Sequence, residues 1–189
     1  MGLHHLGFVT GNLEATIAFW RDLLGCPLVL SLHEALGPQY FFSLGPGQMI
    51  GFFVRPGWTP PAYRKPGAAQ APYPSFDHLA LAAPDLNHLH LLQDRLIQAE
   101  FPVSEVIDHG FCWSIYSYDP NHIPLEFACP QPGVDLANQP RLADPQAPAL
   151  AQQGSQPQGP PWPSQPDPSP RLVLPGLGAD LFGKAPGSR

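Results

Sequence analysis

Charge is scarce in this sequence: 13% of its 189 residues are Asp, Glu, Lys or Arg, and 9 Lys+Arg against 15 Asp+Glu leave a formal net charge of -6. A chain so poor in cations has no electrostatic footprint for a phosphate backbone or an anionic bilayer, which excludes nucleic acid and the membrane as expected partners. Cysteine is rarer still. Cys26, Cys112 and Cys129 form an odd set of 3 without a Cys-x-x-Cys spacing, so neither a disulfide framework nor a cysteine zinc knuckle is supported, and the reducing cytoplasm is the expected compartment. No apolar run reaches the roughly 18 residues read as a membrane-spanning helix. Residues 1–10 carry no basic segment ahead of an apolar one, as a secretory signal would. Met1-Gly2 opens like a myristoylation site, but Leu6 stands where that motif takes Ser or Thr. A soluble protein is expected.

Proline is what the sequence has in excess, and its placement divides the chain. Of 27 prolines, 13 fall within residues 131–189, a stretch also crowded with Gln, Ser, Gly and Ala. Such a segment cannot bury enough apolar surface to offset the entropy of ordering it, and the Gln-Pro and Pro-Pro steps of residues 152–170 favour extended conformers. Residues 131–189 are expected to form a disordered tail, in which 172–174 and 181–182 are an apolar patch, either a docking segment or a remnant without function. A second proline cluster, residues 56–74, reads as a linker that splits an ordered domain, 1–130, into module one (1–55) and module two (75–130).

The two flanks of that linker resemble each other. His5-Leu6-Gly7-Phe8-Val9-Thr10-Gly11-Asn12-Leu13 aligns with His78-Leu79-Ala80-Leu81-Ala82-Ala83-Pro84-Asp85-Leu86. Each copy is a His-Leu start, an apolar strand, and an Asn or Asp placed to cap the first free N–H groups of a helix. Helical periodicity follows in Leu13, Ile17, Phe19, Trp20, Leu23 and Leu24, and again in Leu86, Leu89, Leu92, Leu96 and Ile97; Gly25 is a plausible stop for the first. The remaining runs, 27–33, 40–44 and 49–54, then 103–107, 112–118 and 123–127, are rich in β-branched and aromatic residues and predict three strands per module. Two βαβββ modules result.

Together with Phe19-Trp20-Arg21-Asp22-Leu23-Leu24-Gly25, Ser114-Ile115-Tyr116, Asp119-Pro120-Asn121 and Leu125-Glu126-Phe127, the repeat resembles the vicinal oxygen chelate superfamily of glyoxalase I, fosfomycin-resistance proteins, bleomycin-resistance proteins and type I extradiol dioxygenases. The resemblance covers residues 3–130. It implies an α+β fold in which the modules form an open, curved, barrel-like cup around a divalent metal, and it implies His5, His78 and Glu126 as ligands. Counting along the chain, the counterpart of Glu126 in module one is Phe53, so the fourth ligand of the glyoxalase I type is expected to be missing. Two imidazoles and one carboxylate are a facial triad that suits Fe(II), with Mn(II), Zn(II) or Ni(II) as alternatives. Taken singly, a histidine at a strand start is more often a hydrogen-bonded bystander; the duplication separates His5 and His78 from His4, His33, His88, His90 and His122, the last two groups lying on a helix or near turns.

The same resemblance implies Tyr116, ahead of Glu126 across an Asp-Pro turn, as the residue that hydrogen-bonds substrate oxygen, and His109 as its companion. Their bland alternatives are packing in the sheet for Tyr116 and capping at Gly110 for His109. Phe41, Phe42, Phe52, Phe53, Phe111, Trp113 and Tyr116 are available to line the cup, a wall that suits an aromatic ring better than a dense anion, which would call for Arg and Lys forks. The expected activity is ring cleavage of a small aromatic diol by a non-haem iron dioxygenase. The alternatives are a glyoxalase-type lyase working through an enediolate, and a non-catalytic binder of aromatic drugs. Pairing of the modules within one chain or across a homodimer stays open.

Overall fold

The computed structural model describes residues 2–34, 37–62, 65–67 and 76–158, with Val173, Ala179 and Phe182. It divides into two units, Met1–Gln131 and Pro132–Arg189. In the first, β1 (His5–Thr10), α1 (Leu13–Ile17), β2 (Leu28–Glu34), β3 (Gly37–Gly45) and β4 (Gln48–Val54) are followed by β5 (Leu79–Ala82), α2 (Leu86–Gln98), β6 (Ile107–Asp108), β7 (Cys112–Tyr118) and β8 (Pro124–Pro130). The strands make two four-stranded sheets, ordered β1-β4-β3-β2 and β5-β8-β7-β6. In each, the first strand runs parallel to the last and the others pair antiparallel. The fold is α+β, an open pair of βαβββ modules.

Both helices start where the sequence predicts. Asn12 accepts from the Ala15 N–H at 3.1 Å and Asp85 from the His88 N–H at 2.9 Å, each satisfying one orphan donor of a first turn. The first helix departs from expectation in its second half, because Ala18–Leu23 is π-helical and ends at Gly25, whose φ of +75° suits a glycine. Phe19 and Trp20, neighbours in sequence, are both buried there.

Strand alternation sends one face of each sheet into a common core: Phe42, Ile50 and Phe52 from module one meet Leu79, Ile115, Leu125 and Phe127 from module two, beneath Trp20, Leu89 and Leu96. One polar knot ties the modules together inside that core. The Trp20 indole N–H donates to Asp119 Oδ2 at 3.2 Å, and the same carboxylate accepts from Asn121 Nδ2 and from the backbone N–H groups of Asn121 and Ile123. Asn121 also donates to the Thr16 hydroxyl at 3.1 Å. Burial pushes the Asp119 carboxyl up in pKa while these four donors pull it down. Asp119→Ala would leave several buried donors without an acceptor, each costing about 1–3 kcal/mol. The expected loss is about 3 kcal/mol and a melting temperature lower by roughly 10 °C in a thermal scan.

Residues 103–106, expected to open a strand, are irregular, and β6 is only Ile107–Asp108. Ser104 explains the difference: its N–H donates to the Tyr116 carbonyl and its hydroxyl accepts from the Tyr116 N–H, both at 2.9 Å, so a side chain takes over part of a strand's pairing. In the second unit the described residues hold turns and one 3-10 turn, Ala151–Gln153, and no strand. Of the apolar patch proposed for the tail, only Val173 and Phe182 are described, both exposed; the rest lies outside the described residues. Removing residues 134–189 is expected to leave the melting temperature within about 2 °C, since the core named above is complete without them. Among the described residues no helix is long and apolar enough to cross a membrane.

Candidate metal centre

The face of each sheet opposite the core forms the cup. In module two the parallel ladder sets Ala80 beside Glu126 and the antiparallel ladder sets Tyr116 beside Glu126, so these three residues form a row across the sheet. His78, immediately before β5, falls on the face of Ala80 and Ala82, which are exposed while Leu79 is buried. His78 Nε2 stands 2.7 Å from Glu126 Oε2. Each partner is also held from behind: Asp77 Oδ2 lies 2.7 Å from His78 Nδ1, and the buried Ser114 hydroxyl donates to Glu126 Oε1 at 2.5 Å. The Tyr116 hydroxyl is 3.0 Å from His109 Nε2, and its ring meets that of His78 edge-on at 5.9 Å. Burial, reinforced by the charge of Glu126, pushes the Tyr116 phenol up to about 12, so it keeps its proton at neutral pH.

Module one repeats this geometry without its carboxylate. His5 meets Phe41 edge-on at 5.8 Å, as His78 meets Tyr116. The strand register corrects the counterpart of Glu126. Glu126 pairs with Ala80, two residues after His78, and the residue paired with Gly7, two after His5, is Gly51 rather than Phe53. Phe41 pairs with Gly51 just as Tyr116 pairs with Glu126. A Cβ at Gly51 would come within 2.5 Å of the Phe41 ring, and one at Gly7 within 2.9 Å of the Phe53 ring. Two aromatic rings therefore lie over Gly7 and Gly51, whose counterparts in module two are Ala80 and Glu126, and the position of the fourth carboxylate is held by a glycine rather than by Phe53.

The structure brings His78, Glu126, Tyr116 and His109 together. His5 is joined to none of them by a hydrogen bond or ring contact; its Nδ1 lies 2.8 Å from His4 Nδ1. Among the described residues no three His, Cys, Asp or Glu side chains stand close enough to hold a metal ion. The donor chemistry of the pair His78–Glu126 nevertheless fits one: the two inner atoms converge, and each outer atom is oriented by a partner, the arrangement that fixes tautomer and aim in metal sites. Sequence reasoning missed Asp77 and Ser114. Ser114 carried a signal, since it lies on the same strand face as Tyr116, while Asp77 had only its place beside His78.

Residues 2–127 match the family model of the glyoxalase/bleomycin resistance protein/dioxygenase superfamily. No curated protein sequence matches the chain. Among solved structures, a glyoxylase/bleomycin resistance protein/dioxygenase domain from Frankia sp. EAN1pec is 18% identical with a TM-score of 0.59, over 69% of this chain and 98% of that one. A glyoxalase/dioxygenase from Nostoc punctiforme is 18% identical with a TM-score of 0.54, over 69% and 91%. A putative dioxygenase from Bacillus subtilis is 20% identical with a TM-score of 0.54, over 69% of this chain and 41% of that one. At such identities the likeness to these structures is one of fold. The family model, spanning more than half of the sequence, carries the assignment: the chain belongs to the glyoxalase/bleomycin resistance protein/dioxygenase superfamily.

Proposed function

We propose that the protein is a metal-dependent enzyme that opens the ring of a small aromatic diol, with His5, His78 and Glu126 as metal ligands. The observation that carries this reading is the Tyr116–His109 pair, 3.0 Å apart beside His78 and Glu126. A divalent ion there, Fe(II) by preference, supplies Lewis acidity to a vicinal diol and a place for dioxygen chemistry. Tyr116, protonated at neutral pH, donates its hydroxyl to a substrate oxygen, and His109 Nε2 is within reach to take or return that proton. Ser114 holds one oxygen of Glu126 and leaves the other facing His78. Phe41 and Phe53, lying over Gly51 and Gly7, give the module-one side an aromatic surface against which a ring can pack.

Oxygen uptake by the Fe(II)-loaded protein with a panel of catechols and hydroquinones tests the reading. A coloured open-chain product is expected. Activity on a hemithioacetal with Ni(II) or Zn(II), without oxygen uptake on the panel, would assign the chain to glyoxalase-type lyases instead.

A further inference from the structure

His5 and His78 are each held at Nδ1 by the residue immediately before them. Asp77 Oδ2 lies 2.7 Å from His78 Nδ1, and His4 Nδ1 lies 2.8 Å from His5 Nδ1. Adjacent residues within a strand point to opposite faces, but His4 precedes β1 and Asp77 precedes β5, so neither is in a ladder that would turn it away. The likeness extends to the rings. Phe41 meets the His5 ring edge-on at 5.8 Å and Tyr116 meets the His78 ring edge-on at 5.9 Å, from equivalent places in the two sheets. With Nδ1 and the ring edge engaged in this way, Nε2 is the donor that each imidazole has left.

The two holding residues differ in chemistry. A carboxylate only accepts, so Asp77 keeps a proton on His78 Nδ1. Between His4 and His5 either nitrogen can donate, and only one arrangement leaves His5 Nε2 its lone pair: His5 Nδ1–H donates and His4 Nδ1 accepts. Among the described residues His5 Nε2 makes no hydrogen bond that would compete for that lone pair. The backbone of His4 is fixed independently of its side chain, because its carbonyl accepts from the Met49 N–H at 3.0 Å.

We propose that His4 is a positioning residue, the module-one counterpart of Asp77, and that it holds the His5 ring in the tautomer that presents Nε2 to the metal. The inference rests on the reading of His5 and His78 as ligands. Partners of this kind change the affinity of a site whose metal they never touch, by about 10-fold to 100-fold. An imidazole that accepts through Nδ1 is uncharged, so His4 belongs at the lower end of that range.

The test uses the full-length protein and Zn(II), a diamagnetic ion that takes the same donor types. Nitrogen–proton correlation spectra of the imidazoles are recorded without metal at about pH 8, above the ordinary histidine pKa of about 6.5. His5 should carry its proton on Nδ1, the form that free histidine disfavours in water, and His4→Ala should move the proton to Nε2. In titration His4→Ala should bind Zn(II) about 10-fold more weakly, and His4→Asn, which keeps an acceptor, should recover most of that loss. Asp77→Ala and Asp77→Asn should repeat this pair of effects through His78. Both positions are exposed, so all four variants should melt like wild type. A wild-type His5 protonated on Nε2, or a His4→Ala affinity equal to wild type while His5→Ala loses the ion, would overturn the positioning role and leave the ligands standing. Undiminished Zn(II) binding by His5→Ala would instead remove His5 from the ligand set, and the inference with it.

Discussion

Glu126→Ala and His78→Ala should each lower the affinity for Fe(II) by at least about 100-fold and abolish turnover, because a three-ligand site has no spare donor. The two changes differ in what they leave behind. Losing Glu126 leaves the buried Ser114 hydroxyl without its acceptor, so a stability loss of about 1–3 kcal/mol accompanies the loss of metal. Losing His78, which is exposed, leaves Glu126 with its Ser114 bond, and the fold should be less affected. His5→Ala should match them in metal affinity while leaving stability unchanged, since His5 is exposed and bonded only to its neighbour His4. His90 on the exposed side of α2 is the control, and His90→Ala should bind metal like wild type. Equilibrium titration with Fe(II) under argon, read beside a thermal scan, checks all four.

Tyr116→Phe should reduce kcat by about 100-fold while changing substrate affinity by less than about 3-fold, because the hydroxyl is assigned to the reacting oxygen and the ring to packing. The ring contacts with His78 at 5.9 Å and with His109 at 6.2 Å would survive. The pH dependence carries a sign. The folded phenol lies at about 12, above its ordinary 10, so the folded state holds this proton more firmly than the unfolded chain. Its contribution to stability is complete below pH 10 and is lost as pH rises from 10 to 12. Between pH 7 and 9, therefore, no fall in activity should trace to ionisation of Tyr116, and the residual activity of Tyr116→Phe should show the same profile as wild type over that range. A large rise in KM with kcat preserved would reassign Tyr116 to binding.

The modular fold was legible because both copies of the repeat carry the same local instructions: a cap at Asn12 or Asp85, a helical stripe, and strands whose alternate residues face the core. The candidate site residues His78, Glu126 and Tyr116 came from the family resemblance, and the strand ladders with the His78–Glu126 pair put the three on one surface. Counting along the chain failed for Gly51, because module one is two residues shorter between its first and last strands and only the ladder register reveals which residues are opposite. Ser104 shows another limit. A serine in a predicted strand gave no sign that its hydroxyl would replace a backbone partner of Tyr116. Nor did the sequence distinguish His122 from other histidines near turns, since its positive φ and its hydrogen bond to the Pro61 carbonyl exist only in the folded chain.

The metal content of the protein purified without air tests the central claim most directly. The account predicts about one divalent ion per chain after Fe(II) loading and gel filtration, falling to none in Glu126→Gln, which keeps the shape of the side chain and removes its anionic oxygen. Stoichiometric iron retained by Glu126→Gln, or a wild type that holds no metal yet binds aromatic ligands, would contradict it.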